Sequence, residues 1–316
     1  MIIMKTILLL GGYGFIGTNI MKYIDVWAKD DYRVVVFDRF PKHLDNIQFD
    51  CVVKTYAGDF SDDYLIERVF SENNIDIVAH SLSASVPSSS KDNAFDIQFN
   101  VLPTIGLLNT MTKHNVDKIV FISSGGAIYG DHYVDKSGHR EDEVLFPKSA
   151  YGVSKLVIEK YLYLYQVQYG VKSLVLRLSN PYGPYHYSQK QGVINIALEK
   201  ALKDETFEIW GDGEGKKDYI YIEDFCRILL QLIENKWNGY EVLNVGSDSL
   251  YSVNHIVSEI KKICSGFRWE YRESNVLDVK DFKLNLNKLH ETVKYKQTPL
   301  EKGLQITKQW YESRKK

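Results

Sequence analysis

The chain has 316 residues, with 39 basic against 41 acidic side chains and a formal net charge of −2. No long basic run interrupts that balance, so nucleic acid is not an expected partner, and no apolar run approaches the ~20 residues of a membrane span. Three scattered cysteines, Cys51, Cys226 and Cys264, form no CxxC pair, which argues against a disulfide framework or a structural zinc. A reduced, cytoplasmic setting without a metal is expected.

The apolar start, 1–10, is short and runs into glycines with no small-residue cleavage site, so it reads as the approach to a strand rather than a leader. Strands are then expected at 6–10, 33–37, 52–54, 75–80, 118–123 and 173–178. All are apolar in the near-continuous manner of a parallel sheet covered on both faces. Helical periodicity fills 17–27, 64–73 and 94–114. Alternation of this kind specifies an α/β fold, a Rossmann-type doubly wound parallel sheet. Past about 180 the rhythm changes, through a Pro/Tyr/Gly-rich stretch at 180–187 and a turn cluster, GDGEGKK, at 211–217. A smaller C-terminal α/β substrate domain is expected there. Residues 1–179 plus about 221–247 would bind a dinucleotide, and 180–220 with 248–316 would bind the substrate.

The sequence Gly11-Gly12-Tyr13-Gly14-Phe15-Ile16-Gly17 follows the first strand and opens the first helix. Glycines there permit a tight turn and close approach to a pyrophosphate, and the helix N-terminus supplies free N–H groups and positive dipole. Asp38 ends the second strand, 21 residues beyond Gly17. A carboxylate at that place accepts from ribose hydroxyls and repels a 2′-phosphate, favouring NAD over NADP. Arg39 beside it is either a 2′-phosphate ligand or a solvated surface charge, the second being preferred. Asp59 after the third strand either meets the adenine or caps the next helix.

Tyr151-Gly152-Val153-Ser154-Lys155 begins a helix, and a spacing of four puts Tyr151 and Lys155 on one face. A phenol titrates near pH ~10, yet an adjacent ammonium and a positive nicotinamide ring favour its ionised form. Tyr151 then becomes a plausible general base for a sugar hydroxyl. The pair alone means little in a chain with 22 tyrosines. The segment FISSGGAIYG at 121–130 gives it weight, because it delivers hydroxyls and glycines to the carboxyl edge of the sheet, where ligands of such folds bind.

GGYGFIG, FISSGGAIYG and YGVSK in this order resemble the extended short-chain dehydrogenase/reductase family. Within it they resemble the NAD-dependent nucleotide-sugar epimerase/dehydratase group, of which UDP-glucose 4-epimerases are the best-known type. The likeness continues through SNPYGP at 179–184, GDGEGKKDYIYIED at 211–224 and LNVGS at 243–247. It implies a tightly held NAD, Tyr151 as base, Lys155 on the nicotinamide ribose and Asn100 near that lysine. The cofactor contacts it implies are Gly11, Gly14, Phe15, Ile16, Gly17, Asp38, Arg39, Asp59 and Phe60, with Asn100, Tyr151 and Lys155. Ser85, Asn180, Lys217, Tyr219, Arg272 and Asp278 would meet the substrate, a UDP-sugar or other nucleotide sugar. Relatives pair through helices corresponding to 94–114 and 151–170, so a homodimer is implied. The second of these is rich in tyrosine: Tyr161, Tyr163, Tyr165 and Tyr169.

The chain also departs from the family. The usual catalytic Ser or Thr falls at Gly125, which leaves Ser124 and Ser123 as candidates, Ser124 preferred. Dehydratases carry an Asp-Glu pair where this chain has Gly126 and Ala127, so dehydration is disfavoured. Lys217 and Asn275 stand where epimerases carry arginines, and lysine grips phosphate as a point charge rather than a planar fork. Phe282 lies near a position that tunes room for an N-acetyl group, and a bulky ring there would favour a plain hexose. The leading expectation is therefore C4 epimerisation of a nucleotide sugar through a 4-keto intermediate. A 4-keto-sugar reductase is the alternative, and a non-catalytic NAD-binding regulator the third.

Overall fold

Five strands and three helices make up the first part of the chain in the structure, a computed structural model that describes residues 4–39, 48–85, 93–130, 137–235, 237–273 and 281–314. They are β1 (Lys5–Leu10), α1 (Phe15–Trp27), β2 (Tyr32–Asp38), β3 (Val52–Ala57), α2 (Asp63–Ser71), β4 (Ile77–His80), α3 (Leu102–Lys113) and β5 (Lys118–Ser124). Next come α4 (Gly125–Ile128), α5 (Ala150–Tyr169), β6 (Lys172–Leu178), β7 (Asn180–Tyr182), α6 (Val193–Leu202), β8 (Thr206–Trp210) and β9 (Lys216–Tyr221). The chain closes with α7 (Ile222–Glu234), β10 (Tyr240–Val245), β11 (Leu250–Ser252), α8 (Val253–Ile263), β12 (Arg268–Arg272), α9 (Asn287–Thr292) and α10 (Leu300–Ser313).

The principal sheet has seven strands in the order β10-β6-β5-β4-β1-β2-β3, all parallel. Side chains alternate between its two faces, and each face buries its own apolar cluster. Leu9, Val36, Ile122 and Leu176 pack under α1 and α7. Leu8, Phe37, Phe121 and Val175 pack under α2, α3 and α5. Burial on both faces is why these strands read as unbroken apolar runs. The strand order reverses between β1 and β4, and the carboxyl ends of strands at such a switch point are where doubly wound sheets bind ligands.

A third cluster, which includes Tyr182, Leu198, Phe207, Ile260, Phe267 and Leu304, lies outside the main sheet. It is framed by a three-stranded sheet, β11-β9-β7, and a parallel pair, β12-β8. Between these pieces the chain returns to the main sheet, since β10 pairs with β6 from Ser173 to Leu178. The helix expected over 94–114 differs in one respect. It opens as a π-helical turn, Ile97–Val101, before α3 begins. Such turns put one extra residue into the helix and commonly mark functional sites; here the turn carries Asn100, next to Pro103 in the first turn of α3.

Candidate active site

The loop between β1 and α1 turns tightly on its glycines. Gly11 adopts φ +79°, a backbone state that favours glycine, and its carbonyl accepts from Gly14 N–H at 3.1 Å. A Cβ on Gly17 would stand 2.2 Å from the Gly11 carbonyl oxygen and 2.6 Å from Gly12 Cα. A Cβ on Gly12 would stand 2.6 Å from Val36 Cγ1. A Cβ on Gly14 meets only the Gly11 oxygen, at 3.3 Å, so the loop is open on that side. The first turn of α1, which contains Phe15 and Ile16, holds no acidic residue, and its N–H groups lack intrahelical acceptors. Nothing in that turn repels a phosphate, and the residues present fit the pyrophosphate of NAD.

Asp38 stands at the end of β2, where its Oδ2 accepts from Tyr13 N–H at 2.8 Å. That bond fixes a carboxylate beside the glycine loop. Arg39 forms an ion pair with Asp59. Asp59 also accepts from the Ser61 amide and hydroxyl at 3.0 and 2.7 Å, and these hold its carboxyl below the usual range. The cap of α2 is instead Asp62, whose Oδ1 accepts from Leu65 N–H at 3.0 Å; this corrects the expectation that Asp59 could serve as the cap. Phe60 is buried, edge-on to Phe37 and to His80.

At the next strand ends, α5 is capped by Ser149, whose hydroxyl oxygen accepts from the Gly152 N–H at 3.1 Å. This places Tyr151 and Lys155 one turn apart, facing the tip of β5. The Ser124 hydroxyl lies close enough to the Tyr151 phenol to lower its proton affinity. Ser123 points the other way, as neighbours on a strand must, and donates to Glu159 Oε1 at 2.6 Å. Of the two candidate hydroxyls, only Ser124 is brought to Tyr151. A Cβ on Gly125 would lie 3.0 Å from Leu284 Cδ1 and 3.3 Å from the Leu178 carbonyl oxygen. A side chain has little room there, which accounts for the displacement of the hydroxyl by one residue.

Lys155 is buried and donates to the Ile122 carbonyl at 3.0 Å. Its Nζ lies 4.6 Å from the centroid of the Phe121 ring and 5.7 Å from that of Tyr151. Burial pushes its pKa down to about 8, against the opposing charges of Glu159 and Asp96. Burial likewise pushes the Tyr151 phenol up to about 12, and the Ser124 hydroxyl works in the other direction. His80, at the end of β4, is held neutral: burial and the nearby Lys155 charge push it down to about 3.

Residues 7–246 match the NAD dependent epimerase/dehydratase family. The chain belongs to that family. It is 34% identical over 267 residues, 84% of each chain, to a Methanocaldococcus jannaschii protein that bears the name UDP-glucose 4-epimerase provisionally. It is 32% identical to the dTDP-4-dehydro-6-deoxyglucose reductase of Escherichia coli, covering 83% of this chain and 84% of that one. Among solved structures, the UDP-glucose 4-epimerase of Thermotoga maritima with UDP-glucose superposes with a TM-score of 0.90 at 32% identity, over 98% of this chain and all of the other. The Rossmann-type fold is thus shared along the whole length.

The remaining expected contacts fall into two groups. Asn180, Lys217 and Tyr219 come together because β7 pairs with β9, Asn180 opposite Tyr219; the Asn180 amide donates to the Asp218 carbonyl at 2.8 Å. Arg272 stands apart, exposed at the end of β12 and bound to Glu208 and Glu270 at 3.0 and 2.7 Å. These pairs occupy it at the surface, so it is not gathered with Lys217. Asp278 and Asn275 lie outside the described residues. Phe282 is buried in the core, stacked on His139. The Ser85 hydroxyl donates to Asp96.

The sequence reading missed four residues around the pair: His80, Asp96, Glu159 and Arg177. Beneath Lys155, Arg177 and Glu159 form an ion pair at 2.8 Å with side chains 4% and 1% exposed. Burial opposes the Arg177 charge, but Glu159 and Tyr129 hold its pKa above the usual value. Glu159→Ala would leave the guanidinium buried and unpaired, at a cost of about 3–5 kcal/mol. Urea unfolding should show the midpoint falling accordingly; an unchanged midpoint would remove this pair as the anchor of α5 to β5 and β6. His80 ends a strand at the carboxyl edge, a placement that sequence could have flagged, whereas nothing local marks Asp96.

Proposed function

We propose that this protein is an NAD-dependent nucleotide-sugar epimerase that inverts C4 of a UDP-hexose through a 4-keto intermediate. The observation that carries the reading is the constellation of Ser124, Tyr151 and Lys155 at the strand ends beside the glycine loop. Tyr151 is the base that accepts the proton of the sugar hydroxyl. The Ser124 hydroxyl donates to the phenolate and orients the sugar, and the Lys155 ammonium adds positive potential in a site of low dielectric. NAD, when bound, would supply the reversible hydride-accepting chemistry that a 4-keto route requires. Gly11, Gly14, Phe15, Ile16 and Gly17 hold its pyrophosphate, and Asp38 holds the adenosine ribose. Lys155 and Asn100 attend the nicotinamide end.

Residues 1–179 with about 221–247 form the NAD-binding unit. Residues 180–220 and 248–316 form the nucleotide-sugar unit, with Asn180, Lys217 and Tyr219 towards the nucleotide. The Thermotoga maritima structure with UDP-glucose supports that class of substrate. Gly126 and Ala127 lie in α4 where dehydratases carry acids, and a Cβ on Gly126 meets nothing within 4 Å; a dehydration reading finds no proton donor there. A homodimer is supported by the exposed apolar residues Val153, Tyr163, Leu164, Val167 and Tyr169 on α5. Tyr165, by contrast, is buried, with its hydroxyl on Asn109 at 2.6 Å. A cytoplasmic setting accords with three buried free thiols, and no described helix is long and apolar enough to cross a membrane.

The test is to incubate the purified protein, without added cofactor, with UDP-hexoses and their N-acetyl and uronic acid forms. The anomeric proton NMR signals are then followed. A C4 epimer at constant total sugar is the expected outcome. The Escherichia coli reductase among the relatives favours a second reading, a 4-keto-sugar reductase. That reading takes over if every UDP-sugar returns unchanged while a 4-keto sugar is reduced at the expense of added NADH.

A further inference from the structure

The ion pair of Arg39 with Asp59 stands where the second and third strands end together. Asp38 closes β2 opposite Ala57, the last residue of β3, and the Gly58 N–H donates to the Asp38 carbonyl at 3.1 Å. Arg39 and Asp59 therefore leave the same edge of the sheet from adjoining strand ends. Tyr13 fastens the glycine loop to this edge twice. Its amide donates to Asp38 Oδ2 at 2.8 Å, and its hydroxyl shares a hydrogen bond of 3.0 Å with the Thr55 hydroxyl of β3. Loop, Asp38, Arg39 and Asp59 thus form one corner of the molecule.

The two oxygens of Asp59 have different partners. Oδ1 accepts from both the amide and the hydroxyl of Ser61, at 3.0 and 2.7 Å, which holds the carboxylate in its own turn. Oδ2 takes the Arg39 guanidinium. An ordinary surface pair must order two loose side chains and contributes little. Here the acid is short and already fixed, so it dictates where the arginine goes. In a dinucleotide fold the carboxylate at the end of the second strand meets the adenosine ribose, whereas a nearby arginine accommodates a 2′-phosphate. A guanidinium suits that group because it grips phosphate with a planar fork. Arg39 directly follows Asp38, so this chain carries the determinant for NAD and the determinant for NADP at one place.

We infer that Asp59 determines cofactor specificity by holding Arg39 in an ion pair and so withholding it from a 2′-phosphate. This rests on the reading of the glycine loop and Asp38 as the adenosine end of the NAD site. The pair reconciles an arginine at this position with NAD as the cofactor.

Nucleotide preference is the test. The purified protein is dialysed to equilibrium against equal concentrations of NAD and NADP, and the bound nucleotides are released by denaturation and separated by ion exchange. Asp59→Asn keeps an oxygen for Ser61 and removes the charge that holds Arg39. The paired side chains are 53% and 37% exposed, so solvent weakens the effect, and the NADP-to-NAD ratio should rise by about 3–10-fold. Made in an Arg39→Leu background, the same substitution should change the ratio by less than about twofold. Equal gains in both backgrounds would overturn the inference, since Asp59 would then act without Arg39. An unchanged ratio would overturn it too, as would an equal loss of both nucleotides, the result expected of an acid that only meets the adenine. Asp59→Ser makes the same comparison should the amide variant not fold. Uptake of neither nucleotide by the unaltered protein would bring down the NAD reading and the inference together. The measurement requires no turnover, so failure of the epimerase reading would appear separately, as absence of sugar conversion by the unaltered protein.

Discussion

Tyr151→Phe is expected to lower kcat by about 10²–10⁴-fold, the range removed when a positioned general base is lost. The substitution deletes one oxygen. That oxygen lies close to the Ser124 hydroxyl, and losing a polar contact of that kind costs about 1 kcal/mol of stability at most. The ring still stacks near Lys155 and the helix cap at Ser149 is untouched, so NAD retention should persist. What disappears is the group at the strand ends placed to take a proton from a bound hydroxyl, with the Ser124 hydroxyl near it and the Lys155 ammonium 5.7 Å from its ring. Steady-state rates on the epimerised UDP-sugar, alongside thermal unfolding and cofactor content, check the point. A variant within a few-fold of the unaltered rate would move the base elsewhere and remove the argument built on Ser124 and Lys155.

Gly17→Ala carries the second large effect, on cofactor retention rather than rate. The added methyl would sit 2.2, 2.6 and 2.8 Å from Gly11 O, Gly12 Cα and Gly12 C. These are backbone atoms, which cannot swing aside as a flexible side chain would. Either α1 withdraws from the turn or the turn opens, and both separate the helix N-terminus from the place of the pyrophosphate. Overpacking of this kind costs about 1–3 kcal/mol, so NAD affinity should weaken by roughly 10–100-fold. Released NAD can be quantified after denaturing the purified variant, with circular dichroism showing that the fold survives. Full retention of NAD by a folded Gly17→Ala protein would mean that the loop is looser than its contacts indicate.

The order of strands and helices was legible in the chain because parallel strands buried on both faces must be apolar throughout, and helices covering them must be amphipathic. The six strands expected from composition lie within two or three residues of the observed ones. β3 runs on to Ala57 because its later residues are half polar at a sheet edge, where pairing with β2 decides. The glycine spacing at 11–17 and the Tyr-Lys spacing of four are local rules, set by a turn and by helical pitch, and local rules are written in sequence. So was the family, carried by three motifs in order.

Other features depended on segments meeting from far apart. Whether Ser123 or Ser124 reaches Tyr151 turns on the register of β5 against α5, and on Leu284 filling the space in front of Gly125 from 159 positions away. Arg272 looked available for a diphosphate because sequence cannot show that Glu208 lies alongside it, a neighbour made by the pairing of β12 with β8. The role of Glu159 required β6 to deliver Arg177 beneath it. Asp96 carried no signal at all, since its bonds to Ser85 and Asn100 exist only once the loop after β4 and the π-helical turn have met. Periodicity and motif fix what each segment is. Burial and charge, which set the chemistry of Tyr151 and Lys155, arise only where segments distant in the chain close around the same few atoms.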